Sequence, residues 1–109
     1  MAFSESLAQR IRAALAGKKG IAQKKMFGSV CFLLHGNLLV GVWKDSLIAR
    51  VGPEAGEQAL REDFIRPFDI TGKAMKGWVL VEPDGIESEE QLQGWLARAT
   101  EFVKGLPRK

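Results

Sequence analysis

The sequence predicts an α+β domain with the element order α-β-β-β-α-β-β-α, in which helices pack on an antiparallel sheet. Apolar residues recur at helical spacing near both ends of the chain, and β-branched and aromatic runs separated by tight-turn signals occupy its middle. The 109 residues, 46% of them apolar, fit a single domain spanning residues 1–109.

The first helix is predicted over residues 4–16. Its apolar stripe at helical spacing consists of Leu7, Ile11, Ala14 and Leu15. Ser4 or Ser6 is the expected N-cap, because a hydroxyl oxygen can accept a hydrogen bond from an unpaired first-turn N–H. Gly17 suits the left-handed conformation that ends a helix, and residues 18–25 are predicted to form a loop.

Three strands are predicted next, over residues 26–34, 38–44 and 47–51, where β-branched, aromatic and other apolar residues dominate. His35-Gly36-Asn37 and Asp45-Ser46 are short turn signals, so the strands are expected to form an antiparallel meander. Pro53 then opens a short helix, since proline lacks the N–H that would have no partner at the first helical position.

The remaining elements are two strands and a final helix. The strands are predicted over residues 67–70 and 77–82, with Thr71-Gly72 as a turn between them. Ser88 and Gln91 form a capping-box pattern, in which each side chain satisfies a backbone N–H of the other residue. The helix that follows keeps its apolar spacing through Leu92, Trp95, Leu96, Ala99, Phe102, Val103 and Leu106.

The formal net charge of +3 conceals an alternation along the chain. The first 25 residues carry six basic side chains and one glutamate, whereas residues 82–93 carry five carboxylates and no base. Nucleic-acid-binding proteins usually concentrate cations on one face, so this alternation suits a solvated surface or a self-complementary contact at least as well. No apolar run approaches the ~20 residues of a membrane span, and no signal-peptide pattern is present. We therefore expect a cytoplasmic protein without membrane contact.

No residue pattern predicts catalysis, a cofactor or a metal site. His35 is the only histidine and lies in a turn signal, where an exposed or capping role is expected. Cys31, the only cysteine, lies within an apolar strand and is interpreted as a small buried hydrophobe. None of the twelve glycines belongs to a phosphate-binding motif. The sequence therefore predicts a protein that is not an enzyme.

The stretch from Asp69 to Trp78 has two interpretations. Its glycines can serve a turn while Met75 fills the core, or Lys76 and nearby backbone N–H groups can meet an anion or a partner's carboxylate at the lip of a groove. The candidate interaction residues are Lys73, Met75, Lys76, Gly77 and Trp78, together with Met26, Phe27 and Gly28. The candidate nucleic-acid contacts are Lys18, Lys19, Lys24 and Lys25, for which simple solvation is the other interpretation.

Several segments resemble the N-terminal domain of the TfoX (Sxy) family. The similar residues in the first half are Lys24-Lys25-Met26-Phe27-Gly28, Val30-Cys31-Phe32, Gly36-Asn37 and Arg50-Val51-Gly52. Residues 69–79 are similar to the family's run Asp-Phe-Thr-Gly-Arg-Pro-Met-Lys-Gly-Trp, and residues 95–107 are similar to its terminal helix. The departures include Ser29 where glycine is common, Ile70 for phenylalanine and Ala74 for proline.

This resemblance implies the predicted fold, akin to secretion-chaperone-like domains, and often a homodimer. Full-length TfoX proteins regulate competence genes with the cyclic-AMP receptor protein and carry a second, helical domain, so this chain resembles a stand-alone N-terminal domain. It implies a non-enzymatic protein-interaction domain with an unknown protein partner, in the setting of transcriptional co-regulation. The alternative is a weak nucleic-acid-binding module that uses residues 18–25, and a small-ligand-binding or enzymatic domain ranks third.

Overall fold

In the part of the chain that the structure describes, a six-stranded antiparallel sheet with three α-helices confirms the predicted α+β class and its succession of elements. The computed structural model describes residues 4–26, 29–68 and 76–107. The helices are α1 (Glu5–Leu15), α2 (Pro53–Ala59) and α3 (Glu89–Val103), with a short 3₁₀ turn at Pro83–Gly85. The strands are β1 (Ile21–Met26), β2 (Ser29–Leu34), β3 (Asn37–Trp43), β4 (Ser46–Arg50), β5 (Ile65–Pro67) and β6 (Trp78–Val81).

Strand β1 is an addition to the predicted elements, because the sequence analysis placed residues 21–25 in a loop and Met26 at the start of a strand over residues 26–34, whereas β2 begins at Ser29. It pairs with β2 from Ile21 opposite Leu34 to Met26 opposite Ser29. Most of its described side chains are exposed, and β1 lies at one edge of the sheet, whose order is β1-β2-β3-β4-β6-β5. An edge strand with polar residues lacks the apolar run by which a buried strand is recognised.

One face of the sheet holds the main hydrophobic core. Helices α1 and α3 cover this face, with α3 lying across β3 and β4 and α1 contacting β3. The helices contribute Leu7, Ala8, Ile11, Leu15, Leu92, Trp95, Leu96, Ala99 and Val103 to this core. On β4 and β6 the alternate residues Leu47, Ala49, Val79 and Val81 point into it.

Both long helices begin as the sequence predicts. The Ser4 hydroxyl accepts a hydrogen bond from Leu7 N, and the capping box of Ser88 and Gln91 is complete. Arg10 then joins α1 to the start of α3, because its Nη2 donates to the Ile86 carbonyl at 2.7 Å and its Nε donates to Glu89 at 2.8 Å. Arg10 therefore links the two helices that cover the main core.

The opposite face of the sheet carries a smaller apolar cluster. Ile48, Phe68 and Leu80 are buried there, and the half-buried Trp43 and Trp78 pack against them.

The strand predicted at residues 67–70 lies earlier in the chain, because β5 spans Ile65–Pro67. Residues 69 and 70 and the predicted turn Thr71-Gly72 lie outside the described residues. A proline at a strand end is compatible with an edge position, since no ladder hydrogen bond needs its missing N–H.

Candidate functional site

The start of β6 is fixed against the end of β4 by Gly77. Its carbonyl accepts hydrogen bonds from Val51 N at 2.9 Å and Gly52 N at 3.1 Å. Its φ is +88°, a conformation that L side chains rarely adopt, and a Cβ there would lie 3.0 Å from the Gly52 carbonyl carbon. Gly56 packs as closely, since its Cβ would lie 3.0 Å from the Gly77 Cα. These contacts hold α2 directly beside Lys76 and Trp78.

A groove of about 290 Å³ lies between α2 and the start of β6, and we call it the Trp78 groove. Its lining is mainly apolar and includes Pro53, Gly56, Leu60, Pro67 and Trp78. Leu60 is 41% exposed, and among the described residues Phe64 is the other large apolar side chain with comparable exposure. Lys76 and Glu57 contribute the charged groups. Of the residues the structure describes, none forms an ion pair with Lys76.

Trp78 also belongs to an aromatic arrangement that includes a cation. The Phe68 ring stacks on it with centroids 5.6 Å apart and planes 20° from parallel. The Arg50 guanidinium carbon lies 5.2 Å from the Trp78 ring centroid and 5.8 Å from that of Phe102. Arg50 and Trp78 are register partners across β4 and β6, so the sheet itself sets the first of these contacts. Sequence reasoning did not single out Arg50 as a site residue.

A second cavity of about 500 Å³ adjoins the Trp78 groove at Pro53, which lines both. We call it the α2–α3 cavity, and its apolar lining includes Val51, Ala55 and Phe102. Arg98 and Glu101 line this cavity, but each already forms an ion pair with another residue. Arg98 contacts Glu62 at 2.9 Å, and Glu101 contacts Lys104 at 2.8 Å. No sequence motif indicated this cavity, because its walls come from segments about 45 residues apart.

The predicted interaction residues divide into two groups. Lys76, Gly77 and Trp78 line the Trp78 groove, and their contact with a partner stays a prediction. Outside the described residues lie Lys73, Met75, Phe27 and Gly28, and of Met26 only its backbone position in β1 is described. The grouping of Met26, Phe27 and Gly28 with the other candidates therefore stays a prediction.

The four predicted nucleic-acid contacts do not share one face. Lys18 and Lys19 lie in the turn after α1, whereas Lys24 and Lys25 are neighbours on β1. All four are exposed, and successive strand residues point to opposite faces of the sheet. Within the described ranges, no carboxylate forms an ion pair with any of them.

His35 and Cys31 both lie in packed surroundings. The His35 ring sits against Gly20, where an added Cβ would overlap the imidazole. Cys31 is fully buried, and burial raises the pKa of its thiol to about 11. In the described part of the chain, no group of three or more His, Cys, Asp or Glu residues could hold a metal ion, and no helix is long and apolar enough to cross a membrane.

The fold and the groove define a small α+β domain with one helix-covered sheet face and a surface groove beside α2. A family model described as the TfoX N-terminal domain matches residues 13–103, which is most of the chain. The chain belongs to the TfoX N-terminal domain family, and this membership suggests a regulatory or interaction domain. No curated protein and no solved structure matches it.

Proposed function

We propose that this chain is a non-enzymatic interaction domain that docks a segment of another protein in the Trp78 groove. The observation that carries the proposal is the groove itself, which combines a half-buried tryptophan with an exposed leucine and a lysine free of described ion pairs. Apolar side chains in a partly enclosed groove gain most from being covered by a partner, and tryptophan is enriched among residues that dominate binding.

The rigidity of the groove supports docking. Gly56 and Gly77 hold α2 against the start of β6 at backbone contact distance, and Phe68 supports one ring face of Trp78. A preformed groove loses less conformational entropy on binding than a flexible loop does. The family membership adds support for a regulatory or interaction role. We include in the proposal a homodimer and a setting in transcriptional regulation, both of which rest on the family resemblance.

The surroundings of the two strongest nucleophile candidates support a role without catalysis. Cys31 has no exposed surface, and its raised thiol pKa leaves almost no thiolate at neutral pH, although the thiolate is the reactive form. His35 is packed against the main chain at Gly20 rather than placed in either cavity.

Site-specific crosslinking tests the docking. A photoactivatable benzoylphenylalanine at Leu60 reports what covers the groove in nuclease-treated lysate, and the same residue at Gln93, on the exposed side of α3, is the control. The captured protein is then purified and its Kd measured. We expect Leu60→Asp and Lys76→Glu to weaken binding at least tenfold, and Lys19→Glu, at an exposed lysine in the turn after α1, to leave it unchanged. Equal Kd values for all variants would overturn the proposal.

A second candidate, nucleic-acid contact, is favoured by the four exposed lysines between residues 18 and 25. Anisotropy of a labelled 20-base-pair duplex at two salt concentrations tests it. If it holds, affinity falls steeply with salt, and replacing Lys18, Lys19, Lys24 and Lys25 by glutamine flattens that dependence. Affinity that is insensitive to salt, or unchanged in the variant, rejects this candidate.

A further inference from the structure

We infer that Arg50 binds a single carboxylate of the docked partner, and that the Trp78 groove and the α2–α3 cavity receive apolar residues on the two sides of that carboxylate. The inference rests on the proposed docking function. It assigns the partner a chemistry, namely a peptide segment in which one acidic residue stands between apolar residues.

The position of Arg50 is the first argument. Its guanidinium lies over Trp78, which lines the groove, and near Phe102, which lines the cavity. Pro53 belongs to both linings, so the two depressions adjoin. Arg50 is part of neither lining but contacts one ring from each, so a side chain of a segment that fills both can reach its guanidinium.

The unused hydrogen-bonding capacity of Arg50 is the second argument. A guanidinium has five N–H donors, and contact with an aromatic ring supplies none of them with an oxygen acceptor. Among the described residues, Arg50 has no ion pair, and no side-chain hydrogen bond starts from it. By contrast, Arg10 and Arg98 are both paired with glutamates. Two aromatic rings therefore contact Arg50, and its side-chain N–H groups have no hydrogen-bond acceptor among the described residues.

The surrounding charges decide how acidic the partner can be. Glu57 in the groove offsets Lys76, and the cavity wall contains Glu54 in addition to the paired Arg98 and Glu101. A run of acidic residues would meet Glu54 and Glu57 and be repelled. One carboxylate at Arg50, with apolar neighbours, matches both the cation and the apolar walls.

Carboxylate and arginine also match in geometry. Two parallel N–H···O bonds to one carboxylate are shorter and stronger than neutral hydrogen bonds, and partial burial against aromatic rings reduces competition by water. Lysine cannot form this paired arrangement, so Arg50→Lys is a sensitive probe of it.

The test uses the intact chain and a random seven-residue peptide library displayed on phage. We expect selected peptides to contain one Asp or Glu next to apolar residues. Their affinity should fall ten- to a hundredfold with Arg50→Gln, and by a smaller factor with Arg50→Lys. The peptide with Asn or Gln in place of its acid should bind Arg50→Gln and the unaltered protein equally, which shows that the two groups interact.

Arg61→Gln is the matched control, since Arg61 is an exposed arginine just after α2 and forms no described ion pair. Thermal melts establish that each variant is folded, and a purely structural Arg50 would lower the Tm while leaving the peptide Kd unchanged. Selected peptides without an acid, or with unchanged affinity for Arg50→Gln, overturn this inference alone. Failure of the unaltered protein to enrich any peptide overturns the proposed docking function along with it.

Discussion

Gly77 is the residue on which the geometry of the Trp78 groove depends most directly. Its positive φ turns the chain into β6, and its carbonyl joins the end of β4 to that turn. The sequence interpretation that Gly77 permits positive φ or a close backbone approach is confirmed on both counts. A side chain at this position would have to displace main-chain atoms, which cannot move without shifting α2.

We expect Gly77→Ala to destabilise the protein by at least about 2 kcal/mol, because it combines left-handed strain with a backbone clash. Gly17→Ala is the matched control, since Gly17 has a similar φ of +83° but no atom within 4 Å of its Cβ position. That change should cost only about 1 kcal/mol. Urea unfolding measures both values, and equal losses would show that the close packing contributes nothing.

Cys31 gives the protein a pH dependence in the alkaline range. Burial raises the thiol pKa from 9.0 to about 11, so between these values the unfolded chain loses a proton that the folded chain keeps. The unfolded state binds fewer protons there, and stability must fall as the pH rises from 9 to 11. The expected loss is about 2 to 3 kcal/mol.

Urea unfolding at a series of pH values, with Cys31→Ala as reference, measures this loss. The variant removes the thiol while leaving every lysine and arginine in place, so only the difference between the two proteins belongs to Cys31. Parallel stability curves for the two proteins between pH 9 and 11 would contradict the prediction.

At the scale of elements, α3 is the helix whose start was predicted in most detail. Gln91 N donates to the Ser88 hydroxyl at 3.0 Å, and Ser88 N donates to the Gln91 side chain at 2.9 Å. Ser88→Ala should therefore cost about 1 kcal/mol, since it leaves a first-turn N–H without its partner. Thermal unfolding measures this, with Gln93→Ala on the exposed face of the same helix as control. Indistinguishable values for the two variants would refute the contribution of the cap.

The elements that could be predicted are those whose residues carry a local signal. Capping residues and apolar spacing indicated α1 and α3, and turn residues between apolar runs indicated β2, β3 and β4. Strand β1 carries no such signal, because its polar residues form a strand only through pairing with β2. Of the residues that line the groove, sequence analysis singled out only Lys76, Gly77 and Trp78. Its other wall, and the contact of Arg50 with Phe102, join segments that are distant in sequence and meet only through sheet pairing and helix packing.

On the scale of the whole molecule, the sheet has two unequal edges. Strand β5 has three residues and ends in proline, whereas β1 has six residues and carries Lys24 and Lys25 near its end. Lysines on an edge strand oppose pairing with a further strand, because association would bring like charges together and strip their water. We therefore expect these lysines to limit self-association through β1.

Replacing Lys24 and Lys25 by threonine should increase concentration-dependent association, because threonine favours strand pairing and the opposing charge is lost. Replacing Lys18 and Lys19 in the same way removes equal charge outside the strand and should have little effect. Sedimentation velocity over a hundredfold concentration range distinguishes the two variants. Similar association by both would mean that net charge, rather than the edge strand, controls it.

The placement of α3 also orders events during synthesis of the chain. The central strands β3 and β4 are complete by residue 50, yet the helix that lies across them begins at Glu89. Until that helix has been synthesised, the apolar residues of β3 and β4 that face α3 lack this part of their packing. We therefore expect each nascent chain to pass through a stage in which these apolar residues are accessible to chaperones. We therefore expect substitutions that weaken the packing of α3 to lower the yield of folded protein.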